Sequence, residues 1–141
     1  MTGTEESGRP APLLTEDNHL FWDAARGHRL VAQRCVGCGR LRHPPRPMCP
    51  HCHSLDFEIA DLSGEGVVYS YALLHHPQNP AFDYPIMAAL IDLEEGVRVV
   101  SNLVDVDPAE IAIGMPVTVD YRTTRNEGVV PVFKPRQGAY E

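Results

Sequence analysis

Four cysteines carry the clearest chemistry in this sequence. Cys35 and Cys38 form one CxxC, Cys49 and Cys52 form a second, and ten residues separate the two pairs. A CxxC can wrap two thiolates onto one side of a metal, and two such knuckles complete a tetrahedral sulfur shell with bonds of about 2.3 Å to zinc. Gly37 and Gly39 lie inside and just after the first knuckle, where a tight turn brings backbone amides towards sulfur. With four sulfurs committed, no coordination position stays open, so the expected ion is Zn2+ in a structural site and not an activator of water. Iron is the chemical rival because it takes the same ligands. Disulfides are the remaining reading, and a reducing compartment disfavours them. His51 and His53 flank the second knuckle, but with four sulfurs at hand they read as surface groups.

Other reactive constellations are thin. The sequence holds no GxSxG, no HExxH, no phosphate-cradling glycine loop and no carboxylate pair at a diagnostic spacing. His75 and His76 end a strand ahead of a proline-bordered loop that carries Phe82, Asp83 and Tyr84. Histidine, aspartate and tyrosine in one loop could build an acid/base site. The plainer readings are a rim loop with solvated histidines, or a preformed contact surface offering two aromatics among prolines. Lys134 is the only lysine, a single weak candidate for amine chemistry. Arginine is distributed unevenly: Arg26, Arg29, Arg34, Arg40, Arg42 and Arg46 fall between Ala24 and Leu55, and all 19 acids lie outside that segment.

The elements that must hold these groups can be read from pattern. Residues 1–14 are rich in small polar groups, prolines and glycines and read as a flexible arm, with Leu13 and Leu14 able to dock locally. Thr15 suits a helix N-cap with Glu16 and Asp17 in the first turn, and Leu20, Phe21, Ala24 and Ala25 recur at helical spacing until Gly27 stops the helix. Trp22 sits at the edge of that stripe, as core or as a partner contact. Short strands over Leu30–Gln33 and Arg40–His43 flank the first knuckle, and Pro44, Pro45, Pro47 and Pro50 force an extended connection. From Ile59 the pattern is strands: Val67–His75, a central Ile86–Leu93, a turn at Glu94–Gly96 into Val97–Val104, a helical turn opened by Asp107 and Pro108, then Pro116–Tyr121 and Val129–Phe133. Five strands with a helical turn between the third and fourth have the order of an OB-type Greek-key barrel, and a five-stranded sandwich would give a similar string.

Composition bounds these readings. A chain of 141 residues with 43% hydrophobic content fits one average domain or two very small ones. Divided in two, each part would be short of core and would need a staple such as a metal. The net charge of −7 argues against a general nucleic-acid binder. No apolar run reaches about 18 residues and the first residues are polar and acidic, so the expectation is no membrane span, no signal peptide and a cytoplasmic setting.

The order of segments FWDAARGHRLVAQRC, CVGCG, HPPRPMCPHC, GEGVVYSY, FDYPIMAALIDLEEG and SNLVDVDPAEIAIGMPVTV resembles the small acyl-CoA-associated proteins built from a zinc ribbon and an OB fold. The resemblance runs from about Thr15 to Phe133. It implies a mainly β protein: a helix over 15–28, a rubredoxin-like zinc ribbon over 29–58 held by Cys35, Cys38, Cys49 and Cys52, and a five-stranded OB-fold barrel over 59–141. It also implies a non-catalytic accessory subunit in lipid metabolism. The implied partners are thiolases, hydroxymethylglutaryl-CoA synthases or aldolases that shorten steroid side chains, with enoyl-CoA hydratases as alternative partners and acyl-CoA as a shared ligand. No catalytic residue carries over. On that reading Trp22, Phe82 and Tyr84 would anchor the partner, and Arg40, Arg42 and Arg46, at the ribbon surface, would meet its acidic groups or coenzyme A phosphates. A nucleic-acid-binding ribbon and barrel is the other class, and it would need a basic groove with stacked aromatics.

Overall fold

The computed structural model describes residues 9–125 and 128–136. Most of the expected flexible arm, residues 1–8, therefore lies outside the described residues. The segment from Arg9 to Asn18 is fastened to the body: the Arg125 N–H donates to the Arg9 carbonyl at 2.8 Å and the Asn18 side chain to the Leu13 carbonyl at 3.1 Å. Leu13 and Leu14 do not dock; both side chains are exposed, and the backbone carries the attachment instead.

The helix, α1, spans His19–Arg26, with an irregular turn ahead of it. Thr15 is not the N-cap. The helix starts later than its sequence suggests, with Asn18 in the cap position and neither Glu16 nor Asp17 in its first turn. Thr15 instead ties the preceding turn to Asn18. Its Oγ1 accepts from the Asn18 N–H at 3.2 Å, and Asn18 Oδ1 accepts from the Thr15 N–H at 2.7 Å, a reciprocal arrangement. Phe21 and Ala25 are buried, and Trp22 lies half-buried with its ring edge-on to Phe21 at 4.8 Å.

The chain then forms a three-stranded sheet from β1 (Val31–Cys35), β2 (Leu41–Arg42) and β3 (Phe57–Asp61), in the order β2-β1-β3. Strand β3 straddles the boundary that the sequence places between 58 and 59. It pairs antiparallel with β1 from Val31 opposite Asp61 to Cys35 opposite Phe57, and so returns the chain from the cysteine region along the strand that entered it.

Five further strands make the barrel: β4 (Glu65–Leu74), β5 (Ile86–Leu93), β6 (Arg98–Asn102), β7 (Pro116–Thr123) and β8 (Val129–Pro135). Their order is β6-β5-β4-β7-β8, and a parallel bridge between Leu103 and Phe133 brings the two edges together. That closure, with β4 central and β5 paired on both sides, gives the OB arrangement and not an open sandwich. Strand β4 can serve both sides because a bulge between Val68 and Ser70 bends it, with its start on β7 and its length on β5. Between β6 and β7 the Asp107 side chain accepts from the Ala109 N–H at 2.9 Å and starts the short 3-10 turn Pro108–Glu110.

The modules do not have separate cores. Phe21 of α1 and Leu30 and Ala32 at the start of the ribbon belong to the same buried cluster as Val68, Ile91, Val99, Val117 and Phe133 of the barrel. Each element alone would be short of apolar burial, and sharing one core removes that deficit. Among the described residues no helix is long and apolar enough to cross a membrane.

Two glycines test the barrel's closure. Gly64 has φ +82° and a Cβ placed there would collide with the Val119 side chain, whereas Gly96, in the β5–β6 turn at φ +91°, faces open space. Gly96→Ala should cost about 1–2 kcal/mol for the left-handed backbone alone. Gly64→Ala should cost about 2–5 kcal/mol because overpacking adds to the same strain. Urea denaturation of the two variants checks this, with Gly64→Ala expected to have the lower midpoint.

Candidate metal centre

Both knuckles are built to one plan. The Cys35 N–H donates to the Arg40 carbonyl at 2.9 Å and the Cys49 N–H to the Ser54 carbonyl at 2.9 Å, five residues on in each case. Gly39 N–H reaches back to the Cys35 carbonyl at 2.8 Å, and His53 N–H to the Cys49 carbonyl at 2.9 Å. Gly39 has φ +77° and His53, in the equivalent place, φ +66°. A histidine that the sequence suggests is a mere surface group thus holds a left-handed turn usually left to glycine. Counting four residues on from each leading cysteine is the signal that would have revealed it.

The sulfurs converge. Cys35 Sγ lies 3.4 Å from Cys52 Sγ, Cys38 Sγ lies 3.7 Å from Cys49 Sγ, and all four sulfurs lie within 4.8 Å of one another. None is disulfide-bonded. A tetrahedron with zinc–sulfur bonds of about 2.3 Å has edges of about 3.8 Å, so the donor set fits. Gly37 sits tightly here, since a Cβ would lie 3.2 Å from both Cys52 Sγ and the Ser54 Cβ and would press on the sulfur cluster.

Electrostatics favour thiolates. Backbone N–H groups of Cys38 and then Gly37 lower the Cys35 thiol, and those of Cys52 and His51 lower Cys49 to about 6. The Ser54 N–H favours the Cys52 thiolate too, but Cys35, already short of its proton, holds Cys52 above its ordinary value. Four thiolates so close together need a cation between them, which is how metal binding displaces the last protons. Cys35, Cys38, Cys49 and Cys52 would hold that ion, and its chemistry there is structural.

The arginine segment leaves its expected surface position at one residue, and two of its exposed arginines gain acidic partners. Arg42 is buried: its Nη2 donates to the Arg46 carbonyl at 3.0 Å and its guanidinium lies 5.5 Å from the centre of the Phe57 ring, with Nε and Nη1 making no hydrogen bond among the described residues. Its β2 position opposite Gln33 puts it on the inner side of the small sheet. Arg29 pairs with Asp61 at 2.8 Å and Arg34 lies 3.9 Å from Glu58, because β3 returns its acids alongside the basic strand. Arg40 and Arg46 are exposed, with no ion pair among the described residues.

The loop residues are not assembled for acid/base chemistry. His75, His76 and Asp83 are exposed, and no hydrogen bond joins them to one another or to Tyr84 among the described residues. The Tyr84 hydroxyl instead accepts from the Asn79 N–H at 2.6 Å and donates to the Pro77 carbonyl at 3.4 Å, closing its own loop. Phe82 is half-buried. Lys134 pairs with Asp120 at 3.5 Å. Among the described residues the aromatics most open to solvent lie outside that loop: Tyr69 at the β4 bulge, 49% exposed, and Tyr71, opposite Ala89, and Phe57 of β3, each 37%.

Comparison with known proteins agrees with this architecture. Two family models match, the ChsH2 rubredoxin-like zinc ribbon domain over residues 22–58 and the ChsH2 C-terminal OB-fold domain over 60–122. A DUF35 domain-containing scaffold protein of Methanothermobacter thermautotrophicus is 34% identical over 88% of this chain and 99% of its own length. The chain belongs to the DUF35 family. A probable enoyl-CoA hydratase alpha subunit of Thermomonospora curvata is 49% identical over 90% of this chain, but the DUF35 chain spans only 40% of that relative's length. A solved structure described as the Ltp2-ChsH2(DUF35) aldolase superposes with a TM-score of 0.84 at 48% identity, covering 88% of this chain and 98% of the other.

Replacing Cys49 by serine should remove the metal and disorder the ribbon, since structural zinc supplies roughly 10–16 kcal/mol in finger peptides. His53→Gly should keep full metal content and gain up to about 1 kcal/mol, whereas His53→Val should lose stability. Elemental analysis with thermal melting checks all three, and stoichiometric metal in Cys49→Ser would show that the site is not four-coordinate through sulfur.

Proposed function

We propose that this chain is a non-catalytic accessory subunit of a thiolase-like acyl-CoA enzyme, an aldolase or thiolase of lipid catabolism. It binds that enzyme, supports its active form and shares its acyl-CoA ligand. The observation that carries this reading is the near full-length likeness to the DUF35 chain of an aldolase. The closed four-sulfur site supports it: such a centre stiffens a surface without offering a reactive position. A reducing cytoplasmic setting suits the four free thiols. A second partner class, an enoyl-CoA hydratase, is favoured by the relative whose name is that of a hydratase alpha subunit.

The contact would combine apolar anchors with arginines. Tyr69 and Tyr71 on β4 offer large, rigid, amphipathic area, and Trp22, Phe82 and Tyr84 lie on the helix and loop. Arg40 and Arg46 supply exposed cations with no ion pair among the described residues, suited to bidentate contact with a partner's acids or with phosphate. Arg42, being buried, is left out of that set.

Reconstitution with a candidate aldolase subunit tests the reading. The enzyme should co-elute with this chain on size exclusion and gain retro-aldol turnover on its addition, while this chain alone converts no acyl-CoA. A subunit that neither binds nor changes rate, or turnover by the isolated chain, sinks the proposal. Tyr69→Ala with Tyr71→Ala should weaken assembly about tenfold or more, as should Phe82→Ala with Tyr84→Ala, at unchanged metal content. Arg40→Ser with Arg46→Ser should weaken it more at low salt than at high salt, and an equal loss at both would remove the electrostatic part.

A further inference from the structure

A cavity of about 490 Å³ lies where the helix, the ribbon and the barrel meet. Its walls are largely apolar, with Phe21 and Trp22 from α1, Pro44 from the ribbon connection, Val99 from β6, Val130 from β8 and Phe82 from the long loop. Three basic side chains also line it, and they differ in kind. Arg98 is neutralised by Asp92, whose carboxylate it grips at 2.6 and 3.1 Å while lying 3.5 Å over the Tyr69 ring. His43 packs against Phe21 at 4.9 Å, and burial pushes its pKa down, so it presents a neutral ring.

Arg9 is the exception. It is half-buried, its Nη1 donates to Asn102 Oδ1 at 3.1 Å, and its guanidinium lies 5.4 Å from the Phe82 ring centre. No carboxylate pairs with it and its side chain makes no further hydrogen bond among the described residues. The charged group that acts on it is another cation, Arg122, which is itself held by Asp120 at 2.7 Å and Asp105 at 3.1 Å. Burial and that like charge both press against the Arg9 cation. The residue is nevertheless kept in place, through the Arg125 N–H bond to its own carbonyl at 2.8 Å. A half-buried guanidinium with no counter-ion among the described residues, at the rim of an apolar cavity, is complementary to one anionic group on an apolar body.

We propose that this cavity binds a small amphipathic carboxylic acid, its apolar body against Phe21, Trp22, Val99 and Val130 and its carboxylate on the Arg9 guanidinium. The ligand supplies the charge that Arg9 lacks and fills space between three modules, so its binding ties helix, ribbon and barrel together. Arg9, with no carboxylate partner among the described residues, suits one carboxylate better than a group carrying several phosphates. This site belongs to the chain itself and does not rest on the accessory-subunit reading.

Trp22 is the only tryptophan of the chain and lines the cavity, so its fluorescence reports occupancy directly. The test is titration of the full metal-loaded chain with octanoate, with 1-octanol as the uncharged equivalent and with octanoyl-CoA, whose acyl chain ends in a thioester. Octanoate should give a saturable change with a Kd at least about tenfold below that of octanol, the scale of one charge-assisted contact. Arg9→Gln should raise the octanoate Kd about tenfold or more and leave that of octanol unchanged. Val130→Phe, which fills the cavity, should weaken both ligands, with metal content and circular dichroism checked first. The proposal is overturned if octanoate gives no saturable response, if octanoate and octanol bind equally, if octanoyl-CoA binds in preference to octanoate, or if a folded Arg9→Gln chain keeps its octanoate affinity. Because no partner enzyme is present, failure here leaves the reconstitution result untouched, and the reverse also holds.

Discussion

Four cysteine sulfurs within 4.8 Å of one another impose the constraint that the rest of the molecule depends on. As thiolates they repel, and only a cation among them makes the arrangement stable. Once they are drawn together, the two knuckles fix where β1 ends and where the chain re-emerges, and β3 must lie antiparallel along β1. That pairing in turn sets Leu30 and Ala32 on the barrel side, where they join its core. A small sheet with little apolar content of its own thereby becomes one wall of a larger hydrophobic cluster. A metal held by these four sulfurs would thus act far beyond its own ligands.

The barrel meets the ribbon halfway. Its strands close through Leu103 and Phe133, and Phe133 is wholly buried in the cluster that also holds Phe21 of the helix and Leu30 and Ala32 of the ribbon. Closure needs the chain to pass tightly at Gly64, where Val119 leaves no room for a side chain, and to bend at the β4 bulge. Because helix, ribbon and barrel share buried residues, a load applied at one is carried to the others by packed side chains. For a subunit proposed to support another enzyme, such stiffness is the useful property, since an ordered surface loses little entropy when it docks.

Charge follows the same logic of return. The arginines between Ala24 and Leu55 have no acid among them in sequence, yet Asp61 and Glu58 stand beside Arg29 and Arg34 once β3 is in register. What is left over after this pairing, among the described residues, is Arg26, Arg40 and Arg46 on the outside, Arg42 buried in the ribbon, and Arg9 at the mouth of the intermodule cavity. An exposed cation is cheaply solvated, whereas a half-buried one without a counter-ion is not.

Much of this was determined by sequence alone, where the governing physics is local. The two CxxC pairs specify a four-sulfur site because two residues between cysteines suffice to turn a chain about an ion. Alternation specifies the five barrel strands, and Asp107 with Pro108 the short turn between them, since each depends on near neighbours. The helix itself was legible from the spacing of Leu20, Phe21, Ala24 and Ala25, although its start lies at His19 and not at Thr15. Tertiary structure alone decided what depends on distant residues meeting. It moved the strand at 57–61 into the ribbon sheet, buried Arg42, paired Arg29 and Arg34, and turned Tyr84 onto its own loop. It also placed His53 in a left-handed turn and set Arg9 beside Asn102, a residue far along the chain that no short-range pattern connects to it. Register, burial and the absence of a counter-ion are properties of the folded packing, because which groups lose water, and against what, is settled only when remote segments close on one core.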